Sequence, residues 1–118
     1  MDKVMKRITN ITNREMRKLV EKRVPFVNGN KTVFSHIQDN GLYVVYSYGY
    51  HFPMAIHEPQ TGMWFFNLDK SSRTTNRHKT LIRPYGVNSY NLTSGALQEL
   101  AVHGYSWLVQ QRLMGVAA

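Results

Sequence analysis

Hydrophobic and polar positions along this chain switch from a helical period to strand alternation and back again. Thr12-Asn13-Arg14-Glu15 has the form of a capping box, in which the Thr12 hydroxyl accepts from the Glu15 N–H and the Glu15 carboxylate reaches back to the Thr12 N–H. Ile11 and Met16 flank it as a hydrophobic staple. The spacing predicts a helix over 13–22 with Met16, Leu19 and Val20 as its buried stripe, because Pro25 blocks continuation. Residues 1–10 read as a basic arm or an extra helical turn.

Alternation then takes over. "NGNK" at 28–31 predicts a turn in which Asn-Gly supplies the positive φ. Four strands are expected, at 32–37, 42–48, 51–57 and 63–68, with turns at "QDNG" (38–41) and "EPQTG" (58–62). In the second strand Leu42, Val44, Tyr46 and Tyr48 share one side, and Tyr43, Val45 and Ser47 the other. Pro53 cannot donate to a ladder, so its strand is an edge or carries a bulge.

The helical period returns at residues 69–86. His78, Leu81, Ile82 and Tyr85 fall on one face of a short helix that ends at Pro84 or Gly86. After a loop at 86–92, Thr93 or Ser94 caps a longer helix with Leu97, Leu100, Ala101, Leu108 and Val109 as its stripe. Gly104 inside it marks a kink or a close packing contact, Arg112 near its end suits the helix dipole, and 115–118 is a frayed tail. The fold class expected is α+β. An antiparallel meander of about four strands carries an N-terminal helix, a short basic helix and a longer C-terminal helix, all packed on one face.

Composition fits one folded domain over 1–118: 42% hydrophobic and 12% aromatic residues suffice for a core. No run approaches the roughly 18 apolar residues that span a bilayer. The basic N-terminus lacks the apolar stretch of a secretory signal. The absence of cysteine excludes disulfides, thiolate chemistry and Cys-ligated metal. Together these predict a cytoplasmic protein without a membrane partner.

Charge changes the picture more. The net charge is +8, and all of the excess sits in two segments: residues 1–23 carry +5 and residues 70–83 another +5, while the remainder is −2. Clustered positive charge favours a polyanion. "KSSRTTNRHK" (70–79) is the strongest binding candidate, with hydroxyls at a helix start among cations that suit phosphate. An ordinary Ser/Thr cap on a basic helix accounts for the same residues. The predicted phosphate contacts are Lys70, Arg73, Thr74, Thr75, Arg77, Lys79 and Arg83, joined by Arg14, Arg17 and Lys18 of the first helix. Tyr43, Tyr48, Tyr50 and Trp64 are available to stack on bases if their sheet face is open, with Tyr48, Tyr50 and Trp64 the chosen candidates.

Catalytic signals are sparse. His51 and His57 share a side of one strand but lie about 20 Å apart, too far to hold one metal ion. No HxH or HExxH spacing, Walker loop or GxGxxG is present, so no metal and no cofactor are expected. His78 sits in an apolar stripe, and a core imidazole bracing helix to sheet competes with a catalytic base there. Ser47, Ser71 and Ser72 lack a GxSxG elbow, which leaves a metal-free nuclease using His78 as the only enzymatic reading.

Tyr46-Ser47-Tyr48-Gly49, followed by Pro53, Ala55 and then Thr74-Thr75 with His78, resembles a family of small uncharacterised bacteriophage domains. The likeness covers residues 44 to about 83 and implies a phage-encoded protein of the host bacterial cytoplasm. It carries no activity, but it includes His78. Three functions follow: binding of DNA or RNA through phosphates, host takeover through an acidic bacterial protein, and the His78 nuclease.

Overall fold

The computed structural model describes residues 7–113. Residues 1–6 of the expected arm, the expected tail and the Arg112 side chain lie outside the described residues. The elements are β1 (Ile8–Ile11), a 3-10 turn (Asn13–Glu15), α1 (Met16–Glu21), β2 (Phe26–Asn28), β3 (Val33–Ile37), β4 (Tyr43–Ser47), β5 (Pro53–Glu58), β6 (Met63–Asn67), α2 (Arg73–Ile82), β7 (Ser89–Leu92), α3 (Ser94–His103) and α4 (Tyr105–Leu113).

The expected four-stranded antiparallel meander is corrected to one seven-stranded mixed sheet in sequence order. Its centre, β2 to β6, is antiparallel, but β1 runs parallel to β2 and β7 parallel to β6. Parallel neighbours need a crossover, and α1 and α2 supply one at each edge. The three added strands lie in the expected arm before α1, in the short segment between Pro25 and the 28–31 turn, and in the expected loop at 86–92. Each has three or four residues, Asn among them, and bears no alternation of its own.

Helices cover both faces of the sheet, not one. Tyr43, Val45, Trp64 and Phe66 pack with Met16, Val20 and Ile82 from α1 and α2. Val44, Tyr46, Ile56 and Phe65 pack with Leu97, Leu100 and Leu108 from α3 and α4. Every residue of β4 and β5 is consequently buried. The sides assigned to residues 42–47 are those observed, but Tyr48, expected on the side of Tyr46, leaves the strand at φ +64° and stands beside His78 of α2. The single long C-terminal helix is two helices, because Gly104 takes φ +86° and ends α3 one residue before α4 begins.

Local chemistry explains the joints. Thr12 N–H donates to Glu15 Oε1 at 2.8 Å, and Ile11 and Met16 are buried together. The 28–31 turn forms, but its positive φ belongs to Lys31 and not to Gly29. The buried Asn28 side chain fixes it instead, accepting from the N–H groups of Thr32 and Val33 at 2.8 and 3.0 Å. Pro53 lies in a central strand. Val45 pairs with Ala55 and Tyr46 with Pro53, so Met54 is the extra residue of a bulge.

Candidate nucleic-acid interface

Strand order decides where the two basic segments go. Four antiparallel steps separate β2 from β6, so the two parallel pairs point the same way. Both crossovers step in the same direction across the sheet. Crossovers of one handedness must then lie on one face. α1 and α2 do, and Arg17 joins them: its Nε donates to the Arg83 carbonyl at 2.8 Å and its terminal nitrogen to the Thr80 carbonyl at 2.7 Å. Its guanidinium also lies 4.2 Å from the Tyr85 ring centroid. Arg17 thus serves the carbonyl end of α2.

Two other predicted contacts are likewise engaged within the fold. The Arg83 guanidinium sits 3.9 Å from the centroid of Phe66. Lys79 donates to the Asp69 carbonyl and lies over Phe52; burial lowers its pKa, with Asp69 opposing. Arg14, Lys18, Lys70, Arg73, Thr74 and Arg77 are exposed. Among the described residues the one ion pair is His103 with Glu99 at 3.1 Å, on α3; Lys18 acts on the Glu15 carboxylate without pairing with it, and Arg14, Lys70, Arg73 and Arg77 are in no ion pair among those residues. α2 has no acidic residue in its first turn, and Ser72 caps it by accepting from the Thr75 N–H at 3.1 Å.

The inner side of α2 holds the polar cluster. Ser47, at the end of β4, is 1% exposed and His78 3% exposed. Ser47 Oγ lies 2.9 Å from His78 Nδ1 and 3.2 Å from Thr75 Oγ1, and Thr75 too is buried. Burial, then the nearby Arg77 charge, lowers the His78 pKa, which keeps the ring neutral near pH 7. A serine at hydrogen-bond distance from a neutral histidine has the form of a nucleophile and its base. Here, however, both groups are closed off from solvent, and among the described residues no carboxylate hydrogen-bonds the ring. The arrangement is suited to clipping α2 onto β4. Sequence reasoning missed Ser47 as the partner of His78. Strand parity placed Ser47 on the Tyr43 and Val45 side, but nothing local says which strand end α2 reaches.

The predicted stacking residues separate. Trp64 is 3% exposed, its ring packed between Phe66 and His57, so it offers no free face. Tyr50 is 61% exposed but rests on Phe34, Tyr46 and His36 at the other face of the sheet. Arg7 covers part of that cluster, 5.3 Å from Phe34, and the Tyr46 hydroxyl is pushed up to about 12, by burial first and then by Tyr50. Tyr48 is 54% exposed beside α2, with its ring tilted 36° to His78 at a centroid distance of 5.6 Å. Its φ is +64°, a left-handed conformation that costs a bulky residue about 1–2 kcal/mol. His51 is exposed in the turn while His57 is buried against Trp64. A cavity of about 660 Å³ lies apart from all of this, at the junction of α3 and α4 beside Leu42 and Glu58.

No family model, curated protein or solved structure matches the chain. The bacteriophage-type pattern rests on its own residues. Three of them, Ser47, Thr75 and His78, meet in the buried cluster.

Proposed function

We propose that this chain binds nucleic acid, DNA or RNA, through phosphate contacts from the α1–α2 layer. The observation that carries the reading is the convergence of the two basic segments: Arg14 and Lys18 from one crossover, and Lys70, Arg73 and Arg77 from the other, stand exposed on adjoining elements, and none of them is in an ion pair among the described residues. A surface of exposed cations on a helical layer gains affinity by releasing counterions from a polyanion. It carries little base readout, so affinity is broad in sequence.

Equilibrium binding to a labelled oligonucleotide across a salt series tests this. The logarithm of the affinity should fall linearly with the logarithm of salt, with a slope near −0.9 per phosphate neutralised on duplex DNA. Affinity unchanged between about 50 and 200 mM salt would remove the reading. Retention of an acidic protein from nuclease-treated bacterial lysate, without such salt-sensitive binding, would turn the same surface toward a protein partner.

A further inference from the structure

We propose that Tyr48 is a stacking platform for one unpaired nucleobase, and that the ligand of the basic layer is therefore single-stranded. This rests on the phosphate-binding reading above.

Tyr48 occupies a left-handed backbone position, φ +64°, that glycine or asparagine takes with little strain. The hairpin has a glycine available in the very next position, Gly49, yet the strained site carries a large aromatic. The Tyr48 ring is 54% exposed and meets one ring among the described residues, that of His78, whereas Tyr50 across the same turn, 61% exposed, rests on three aromatic neighbours on the opposite face. What Tyr48 does contact is His78, and His78 is fixed by Ser47 at 2.9 Å. The ring thus leans on a fixed neighbour before any ligand arrives, which lowers the entropy lost on stacking.

Its surroundings specify the ligand. Exposed Arg77 precedes His78 and exposed Thr74 precedes the buried Thr75, so side chains suited to phosphate lie next to the residues on which the ring is built. An aromatic ring beside exposed cations is the pairing by which strands with splayed bases are held. Bases within a duplex already stack on both faces and cannot use such a ring.

The test compares Tyr48→Gly and Tyr48→Phe with the unaltered chain, using an oligothymidylate and a duplex of matched phosphate count. Tyr48→Gly should weaken oligothymidylate binding by about 10-fold or more. It should leave duplex affinity and the salt slope unchanged and keep or raise the melting temperature, because glycine relieves the backbone. Tyr48→Phe should bind as the unaltered chain does. Oligothymidylate affinity unchanged in a folded Tyr48→Gly would overturn the stacking role, as would equal losses on both ligands together with a lower melting temperature. Salt-sensitive duplex binding would survive either result, leaving the phosphate reading in place. No binding of either ligand by the unaltered chain would remove both.

Discussion

Ser47 Oγ lies 2.9 Å from Nδ1 of His78, a residue 31 positions later in the chain, and both are buried. The bond ties the end of β4 to the middle of α2 at the point where Thr75 also meets the serine. Ser47→Ala removes the hydroxyl and leaves a buried ring nitrogen and the Thr75 hydroxyl without it. The expected loss is about 1–3 kcal/mol in urea denaturation, seen as a lower midpoint at unchanged slope. A loss below about 0.5 kcal/mol would show that the clip contributes nothing to stability.

Acidification should weaken the fold through three histidines. His36, His57 and His78 have pKa values lowered from 6.5, in each case chiefly by burial, with Arg7, Arg23 and Arg77 respectively adding to the effect. The Gln38 hydrogen bond opposes it at His36, where it outweighs Arg7, and Glu58 opposes it at His57. Since each folded value lies below the unfolded one, the unfolded chain takes up protons first as pH falls. The stabilisation is complete above about 6.5 and is lost as pH drops from there toward the folded values. Denaturation midpoints should decline over that window, and His78→Gln should remove about one proton from the slope. A midpoint flat from pH 7.5 to about 5.5 would contradict this.

The central hairpins were legible because their signals are local. Gly41 and Gly62 take φ +88° and +76° in the turns expected of them, and β3 to β6 fall within the predicted strands or a residue of them. β1, β2 and β7 were not legible, because a strand such as Ser89–Leu92 buries only Leu92 and owes its existence to pairing with β6. The one-sided helix layer was the avoidable error. Residues 42–47 are apolar at both parities, Val44 and Tyr46 as well as Tyr43 and Val45, which is the mark of a strand covered on both faces. At the site, the inward aim of His78 could be read from helical spacing. The convergence of α1 with α2 could not, because it follows from strand order.

Arg17 gives a mutational test of that convergence. Arg17→Ala loses two hydrogen bonds to carbonyls at the end of α2 and the contact with Tyr85. The expected cost is about 1–3 kcal/mol. Arg17→Lys keeps the charge but lacks the planar fork that reaches both carbonyls, so it should recover less than half of the loss. Full recovery by lysine in thermal denaturation would mean that charge, not the two-carbonyl contact, joins the helices.

Arg77, within α2, and Arg83, just past its end, should respond differently to the same substitution. Arg77 is exposed and in no ion pair among the described residues; Arg83 lies over Phe66 at 3.9 Å, and its own carbonyl receives Arg17. Arg77→Ala should leave stability within about 0.5 kcal/mol while reducing the salt slope of nucleic-acid binding by about 0.9. Arg83→Ala should cost stability, about 0.5–2 kcal/mol for the lost ring contact, and change the slope less. The contrast separates a phosphate contact from a structural cation with two measurements on each variant. If Arg77→Ala lowered stability and left the salt slope alone, Arg77 would serve the fold, and the phosphate assignment would pass to Arg14, Lys18, Lys70 and Arg73.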